Sequence, residues 1–178
     1  MTARSAGNTA AIIITGSAGV FASGANINEL QALNESGARE FARRGQQVFQ
    51  GLAEADQLTI AAVNGFCVGG GLDLALACKV RYASRAATFR HPGATLGIIT
   101  GWGGTQRLPR LIGEAKTLEL FTTARTVDSE EACEIGLITR IADPVLDHAR
   151  PDVYHRFGRR PGGMLAVPQR RSPRTAIN

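Results

Sequence analysis

Apolar runs of strand length alternate with segments of helical periodicity along this chain. Residues 10–15 and 59–63 are almost entirely apolar, which is typical of strands buried on both faces of a sheet. Between these runs, apolar side chains from Ala38 to Ala53 recur at the spacing of one helix face, and arginines and glutamines fall largely on the other face. Strand alternating with helix predicts right-handed crossovers and a mostly parallel sheet, and therefore the α/β class.

The remaining elements continue this alternation. Asp128 provides an oxygen-bearing cap before an acidic first turn, and Gly136 is expected to end the helix that begins there. Pro109 is expected to kink a helix over 101–112 or to end its regular part. The pattern further predicts a loop at 17–24, helices at 25–33, 71–78 and 114–122, and strands at 79–83, 88–89 and 137–141.

Three consecutive glycines, residues 69–71, join the strand at 59–63 to the helix at 71–78. Glycine lets a ligand approach bare N–H groups, and at a helix N-terminus the dipole favours negative charge, so the turn predicts a site for an oxyanion. Asp73 places a carboxylate in the first turn of the same helix. A tight connection without chemistry is the alternative. A phosphate loop or a dinucleotide site is less favoured, because no Gly-Lys-Ser/Thr follows and the glycine spacing is wrong.

A second turn, residues 21–27, has a similar order of loop, glycine and helix start around Gly24. If both turns lie on the same side of a parallel sheet, two helix N-termini converge on one ligand oxygen. Each N–H donor of such a pair contributes roughly 10²–10³ in rate when it stabilises a developing oxyanion. Two similar connections in a repetitive fold are the alternative interpretation.

Charge is distributed unevenly over the 178 residues. Residues 1–143 hold 13 Lys and Arg against 13 Asp and Glu, whereas residues 144–178 hold seven Arg, no Lys, two Asp and five of the seven prolines. This composition predicts a disordered tail rather than a nucleic-acid-binding arm, because no basic stripe with aromatics extends into the folded part. No nucleic-acid partner is therefore expected.

Apolar runs and cysteines limit the class of protein further. No apolar run is long enough to span a membrane, and no signal-peptide core follows the N-terminus. Cys67, Cys78 and Cys133 form no CxxC motif, so we expect neither a metal site nor a disulfide framework. These features predict a protein of the reducing cytoplasm that does not bind membranes.

Three stretches of the sequence resemble the enoyl-CoA hydratase/isomerase, or crotonase, family. They are Phe-Ala-Ser-Gly-Ala-Asn at 21–26, Ala-Ala-Val-Asn-Gly-Phe-Cys-Val-Gly-Gly-Gly-Leu-Asp-Leu-Ala at 61–75, and Leu-Gly-Ile-Ile-Thr-Gly-Trp-Gly-Gly-Thr-Gln-Arg-Leu-Pro at 96–109. Residues 130–138 also fit, and the resemblance covers about residues 8–143. It implies a spiral of ββα turns that binds acyl-CoA thioesters, with coenzyme A as part of the substrate and no separate cofactor. It also implies a homotrimer or a dimer of trimers.

The resemblance assigns roles to individual positions. The N–H groups of Ala25 and Gly70 would hold the thioester oxygen while an enolate forms. Asp73 stands where the first catalytic glutamate of the hydratases is expected, and Gly93 stands where the second is expected. The substrate-binding residues that it implies are Ala22, Ala25, Asn26, Gly70, Gly93 and Trp102. Arg107 is expected to have a structural role.

Two departures from the family pattern concern the proton chemistry. Asp73 is one methylene shorter than a glutamate, and Gly93 has no side chain, so the two-carboxylate hydration mechanism is not available as such. A second group could come from His91, which can exchange a proton near neutral pH, or from a bound bicarbonate, as in some naphthoate synthases of the family. The expected function is that of an enoyl-CoA hydratase. An enoyl-CoA isomerase and a non-catalytic or degenerate acyl-CoA-binding fragment are the alternatives.

Both ends of the chain differ from the family pattern as well. The family usually has a strand pair before the segment at 10–15, and C-terminal helices after the segment that ends near 143. We therefore expect residues 1–143 to form an acyl-CoA-binding core that lacks the usual first strands. Residues 144–178 are expected to be a basic Pro/Arg-rich tail, either disordered or the product of a frameshift.

Overall fold

The computed structural model describes residues 11–146 of the chain. The expected tail falls almost entirely on residues 147–178, outside the described residues. A 3₁₀ turn, Pro92–Leu96, follows the strand at Thr88–Arg90. The strands in the described range are β1 (Ala11–Thr15), β2 (Val20–Ala22), β3 (Leu58–Val63), β4 (Phe66–Val68), β5 (Val80–Ala83), β6 (Thr88–Arg90), β7 (Val127–Asp128) and β8 (Arg140–Ile141). The helices there are α1 (Ile27–Gln31), α2 (Glu35–Ala53), α3 (Gly70–Ala77), α4 (Gly104–Ile112), α5 (Glu114–Thr123) and α6 (Ser129–Glu134).

The strands form two sheets, and from β1 to β6 successive strands of the chain alternate between them. One sheet has the order β1-β3-β5-β8 and is parallel throughout, and the other has the order β2-β4-β6-β7, in which β7 alone is antiparallel to its neighbour. Each of the pairs β1/β2, β3/β4 and β5/β6 gives one strand to each sheet before the chain enters a helix. The expected spiral of ββα turns with mostly parallel sheets is confirmed.

Strand β3 lies at the centre of the first sheet. Every residue of β3 is buried, and the four residues from Ile60 to Val63 are fully inaccessible to solvent. This explains its nearly uninterrupted apolar sequence, because the strand packs on both faces. The main core beside it contains Phe21, Phe89 and Leu108, each at most 1% exposed.

Short strands account for the main differences from the sequence prediction. The stretch 17–24, expected as a loop, contains β2, and β4 lies between β3 and the glycine turn. Strands of two or three residues show no alternation to detect, and they form because neighbouring strands supply hydrogen-bond partners. Strand β8 is shorter than the expected 137–141, because Ile138 instead donates its N–H to the carbonyl of Ala132 at the end of α6. Helix α4 does not end at Pro109 but continues to Ile112.

The described residues bear on the expectations about cysteines, metal sites and membrane-spanning helices. All three cysteines are free. Burial raises the pKa of the Cys67 thiol well above its usual value, and it raises the pKa of the Cys78 thiol to about 12. Among residues 11–146, no three His, Cys, Asp or Glu side chains come together as a possible metal site. The same residues include no helix with the length and apolar character needed to cross a bilayer.

Candidate active site

The glycine turn after β4 leaves a backbone donor without an intrahelical partner. Gly69 is the N-cap of α3 and has φ 56°, a backbone region that favours glycine. Its N–H donates to the carbonyl of Arg90, and its own carbonyl accepts from the N–H groups of Leu72 and Asp73, which starts the helix. Gly70 is the first residue of α3, so its N–H has no acceptor inside the helix. As predicted, Asp73 lies in the first turn.

The second turn has the same local construction after β2. Gly24 has φ 88°, and the Asn26 side chain caps α1 by accepting from the N–H of Asn28 at 3.0 Å. Ala25 lies between the positive-φ glycine and the cap residue. Both turns therefore lead from a strand of the second sheet into the N-terminus of a helix.

The two turns touch each other. Strands β2 and β4 are parallel neighbours, so their carboxyl ends meet at the same edge of the sheet. A Cβ atom on Gly24 would lie 2.9 Å from the backbone N of Gly70 and 3.0 Å from the carbonyl oxygen of Val68. Position 24 thus needs glycine for its backbone angle and for this close approach. The arrangement meets the condition under which two helix N-termini converge on one ligand.

A cavity of about 340 Å³ opens in front of both turns. Five of the predicted residues contribute to its lining: Ala25, Gly70, Asp73, Gly93 and Trp102. Its polar side also includes His91 and Thr100, and its apolar side is formed mainly by Leu30, Leu33, Phe41, Ala42, Ile98 and Ile99. Of the described residues that line it, Asp73 is the only carboxylate.

Two other predicted substrate-binding residues lie outside the cavity lining. Ala22 is buried, and its Cβ lies 2.8 Å from the point that a Cβ on Gly71 would occupy, so it packs behind α3. Asn26 is exposed and its side chain caps α1. Substrate contact by these two residues stays a prediction.

Asp73 is the central polar group of the cavity, although its side chain is almost fully buried. Residue Asp73 is 1% exposed, and its Oδ1 lies 3.1 Å from Nε2 of His91. The hydroxyl of Thr100 donates to its Oδ2. A buried carboxylate is costly unless its oxygens have partners, and here each oxygen has one. His91 is itself 7% exposed, with its ring edge-on to Phe121 at a centroid distance of 5.2 Å.

Thr100 is a site residue that the sequence does not indicate, whereas His91 is among the residues expected near the site. The threonine meets Asp73 because the loop before α4 folds back over α3, and nothing in the local pattern of residues 96–102 indicates this path. The glycine at 104 is a further missed contributor, since a Cβ there would collide with Oδ1 of Asp73.

Gly93 has no room for a side chain in this conformation. Its carbonyl accepts from the N–H of Ile98 at 3.0 Å, which closes the turn around residues 93–98. A Cβ on Gly93 would lie 2.5 Å from the carbonyl oxygen of Ile98. A carboxylate at this position would therefore require the turn to move.

Trp102 forms a wall between α2 and the glycine turn. Its ring lies so close to Gly45 of α2 and to Gly70 that a Cβ on either glycine would collide with it. Phe41 and Phe49 pack against the indole at centroid distances of 5.1 and 5.5 Å. The backbone around the ring is held as well, since Gln46 donates to the carbonyl of Gly101 at 2.8 Å.

Arg107 stabilises the loop that carries Trp102. Its guanidinium donates to the carbonyl of Trp102 at 3.2 Å and to the side-chain oxygen of Gln50 at 2.9 Å. Both partners belong to the protein scaffold, in keeping with the structural role that we expected for this arginine.

The chain belongs to the enoyl-CoA hydratase/isomerase family, whose model matches residues 2–154. It is 43% identical over 158 residues to the crotonyl-CoA hydratase of Syntrophomonas wolfei, and the matched region covers 88% of this chain and 60% of that protein. It is 42% identical over 135 residues to the short-chain-enoyl-CoA hydratase of Clostridium acetobutylicum, with 75% and 52% covered. The crystal structure of enoyl-CoA hydratase from Bacillus anthracis superimposes with a TM-score of 0.79 at 36% identity, over 84% of this chain and 59% of that chain. The chain thus spans between 52% and 60% of the length of these two curated relatives.

Proposed function

We propose that this chain acts on acyl-CoA thioesters as an enoyl-CoA hydratase that works through an enolate. The observation that carries the proposal is the contact between the turns at Gly24 and Gly70, beside a buried carboxylate in one cavity. The N–H groups of Ala25 and Gly70 would both donate to the thioester oxygen. Removing one such donor costs roughly 10²–10³ in rate, because the donors act where negative charge develops. The names of the relatives from Syntrophomonas wolfei and Clostridium acetobutylicum support the substrate class.

Hydration in this site needs two proton movements. Water adds through its oxygen to the β-carbon, the π electrons move onto the thioester oxygen, and the resulting enolate takes a proton at its α-carbon. Asp73 is the group that we assign to both steps: it accepts the proton that water loses and returns it to the α-carbon. A carboxylate in hydrogen-bond reach of the reacting atoms is required for this role.

The replacement of the second expected carboxylate by Gly93 is part of the proposal. The described residues that line the cavity include no other carboxylate, so we assign the proton chemistry to Asp73. This observation also favours the isomerase as a second candidate, since one carboxylate suffices to move a proton along an acyl chain. A bound anion such as bicarbonate is a third arrangement, and it would make hydration depend on an added salt.

The proposal also concerns coenzyme A, the oligomeric state and the cellular compartment. Coenzyme A enters as part of the substrate, and no further cofactor is required for this chemistry. A homotrimer or a dimer of trimers is expected from the family resemblance, and the mass of the purified protein in solution tests it. Three free thiols support a reducing cytoplasmic setting.

The decisive assay uses the full chain with crotonyl-CoA and with butyryl-CoA in D₂O. A hydratase converts the enoyl thioester to the 3-hydroxyacyl form, and an enolate site exchanges the α-protons of the saturated thioester. Exchange without hydration would favour the isomerase, and hydration only with added bicarbonate would indicate a bound anion. Binding without exchange or turnover would indicate a non-catalytic acyl-CoA binder and would contradict both enzyme proposals. Asp73→Asn is expected to abolish exchange, while Asp56→Asn, at an exposed carboxylate, serves as its control.

A further inference from the structure

We propose that His91 and Thr100 are positioning residues that hold the Asp73 carboxylate by both of its oxygens, so that this one carboxylate can carry the proton chemistry. This inference rests on the proposed function. It assigns to two further residues a role that acts through Asp73, without contact between either side chain and the reacting atoms.

The three residues come from separate parts of the fold. Asp73 lies in the first turn of α3, His91 follows β6, and Thr100 belongs to the loop before α4. Nε2 of His91 is 3.1 Å from Oδ1, and the hydroxyl of Thr100 donates to Oδ2. Each oxygen of an ionised carboxylate has two lone pairs, so one donor at each leaves a further lone pair for the substrate side.

Gly104 limits the space around the carboxylate. A Cβ on this glycine would collide with Oδ1 of Asp73, so the backbone of α4 lies directly against the carboxylate. The two donors and this backbone wall together restrict the position of the side chain. A fixed acid/base group matters for rate because misplacement by about 1 Å can cost about 10²-fold.

His91 is placed to act through Asp73. Its side chain is 6% exposed, its Nε2 faces the carboxylate, and its ring packs edge-on against Phe121. The glutamine side chain reproduces a donor at the position of Nε2 but cannot exchange a proton. This difference separates a positioning role from a proton-carrying role.

The test compares His91→Gln with His91→Leu, and Thr100→Ser with Thr100→Val. The measured quantities are the rate of α-proton exchange in butyryl-CoA, the Kd for the same thioester and the thermal midpoint. We expect His91→Leu and Thr100→Val to slow exchange by about 10²-fold with Kd changed by less than about threefold. His91→Gln and Thr100→Ser keep the donor and are expected to stay within about tenfold of the wild-type exchange rate. Phe121→Leu, which changes the packing against the imidazole but removes neither donor, is the matched control and should retain most of the rate.

Each contrary result has a distinct meaning. If His91→Gln is as slow as His91→Leu, the imidazole itself carries the proton and the positioning role is wrong. Wild-type exchange in His91→Leu or in Thr100→Val would also overturn the proposal. If His91→Leu does not fold, the Thr100 pair decides alone, since Thr100→Val removes only one part-buried hydroxyl. A wild-type chain that neither binds nor exchanges butyryl-CoA refutes the proposed function itself, whereas active wild type with unaffected variants refutes only this inference.

Discussion

Gly24 packs against the backbone of Gly70: a Cβ atom on Gly24 would lie 2.9 Å from the nitrogen of Gly70. The two glycines belong to turns that follow neighbouring parallel strands, β2 and β4. The approach is possible because Gly24 has no side chain, whereas a Cβ on Gly70 would collide with the Trp102 ring. It brings the N-termini of α1 and α3 to one cavity, where a single oxygen atom could meet a donor from each.

Gly24→Ala is expected to slow α-proton exchange by about 10²–10³-fold, because the new methyl group displaces the Gly70 turn and with it one N–H donor. The substitution also strains the backbone, since Gly24 has φ 88°. Gly19→Ala is the matched control: it has φ 73°, yet a Cβ there meets no atom within 4 Å. Both variants should lose about 1–2 kcal/mol of unfolding free energy from the left-handed backbone, and the exchange rate should fall in Gly24→Ala alone. Equal rates in the two variants would argue against the donor pair.

Gly104→Ala is expected to push Asp73 from its position, because a Cβ there would collide with Oδ1 of Asp73. We expect loss of most α-proton exchange and a destabilisation of about 1–3 kcal/mol from overpacking. Gly51→Ala is the control, a helical glycine of α2 with no atom within 4 Å of the added Cβ. It should raise the unfolding free energy by about 0.5–1 kcal/mol and leave exchange unchanged. Chemical denaturation and exchange in D₂O measure both effects.

Gly93→Glu is not expected to create a working second carboxylate. The Cβ would lie 2.5 Å from the carbonyl oxygen of Ile98, so the variant must first displace the turn that lines the cavity. We expect a lower thermal midpoint and no gain in the rate of crotonyl-CoA hydration. Gly97→Ala, whose Cβ meets nothing within 4 Å at φ 65°, controls for backbone strain in the same turn. A Gly93→Glu enzyme that hydrates faster than wild type would show that the turn adjusts readily.

Trp102→Ala is expected to enlarge the cavity on the side of Phe41 and Phe49. Removing a packed aromatic side chain typically costs about 3–5 kcal/mol, so the variant should be less stable. It should also bind long-chain acyl-CoA better relative to butyryl-CoA, because the wall beside Gly70 is gone. Trp102→Phe keeps most of the wall and should retain the wild-type preference. An unchanged ratio of dissociation constants in Trp102→Ala would place the acyl chain elsewhere.

The parts that sequence predicts well are those in which local pattern and burial coincide. Strand β3 is buried on both faces and reads as a continuous apolar run, and α6 begins after the Asp128 cap, whose side chain accepts from the N–H of Glu131. Strands β2, β4 and β7 are too short for any periodicity, so they depend on neighbouring strands that lie far away in the chain.

In the candidate site, too, residues of one local turn are predictable from the sequence, and contacts between distant parts of the chain are not. Gly70 and Asp73 belong to one turn, and their spacing alone suggests an anion site with a carboxylate beside it. The contacts of Asp73 with Thr100 and Gly104 depend on how the loop before α4 returns to α3. Such contacts have no signature in local sequence, because they join residues 27 and 31 positions apart.

The carbonyl stretching frequency of a bound thioester tests the donor pair most directly. Infrared difference spectra of butyryl-CoA labelled with ¹³C at the thioester carbonyl would be recorded with the wild-type chain, Gly24→Ala and Gly19→Ala. Hydrogen bonds from Ala25 and Gly70 weaken the C=O bond, so the account predicts a lower frequency in the wild-type complex than in water. It also predicts that Gly19→Ala keeps this shift and that Gly24→Ala, which displaces one of the two donors, loses part of it. A wild-type complex whose carbonyl absorbs at the frequency seen in water would contradict the account.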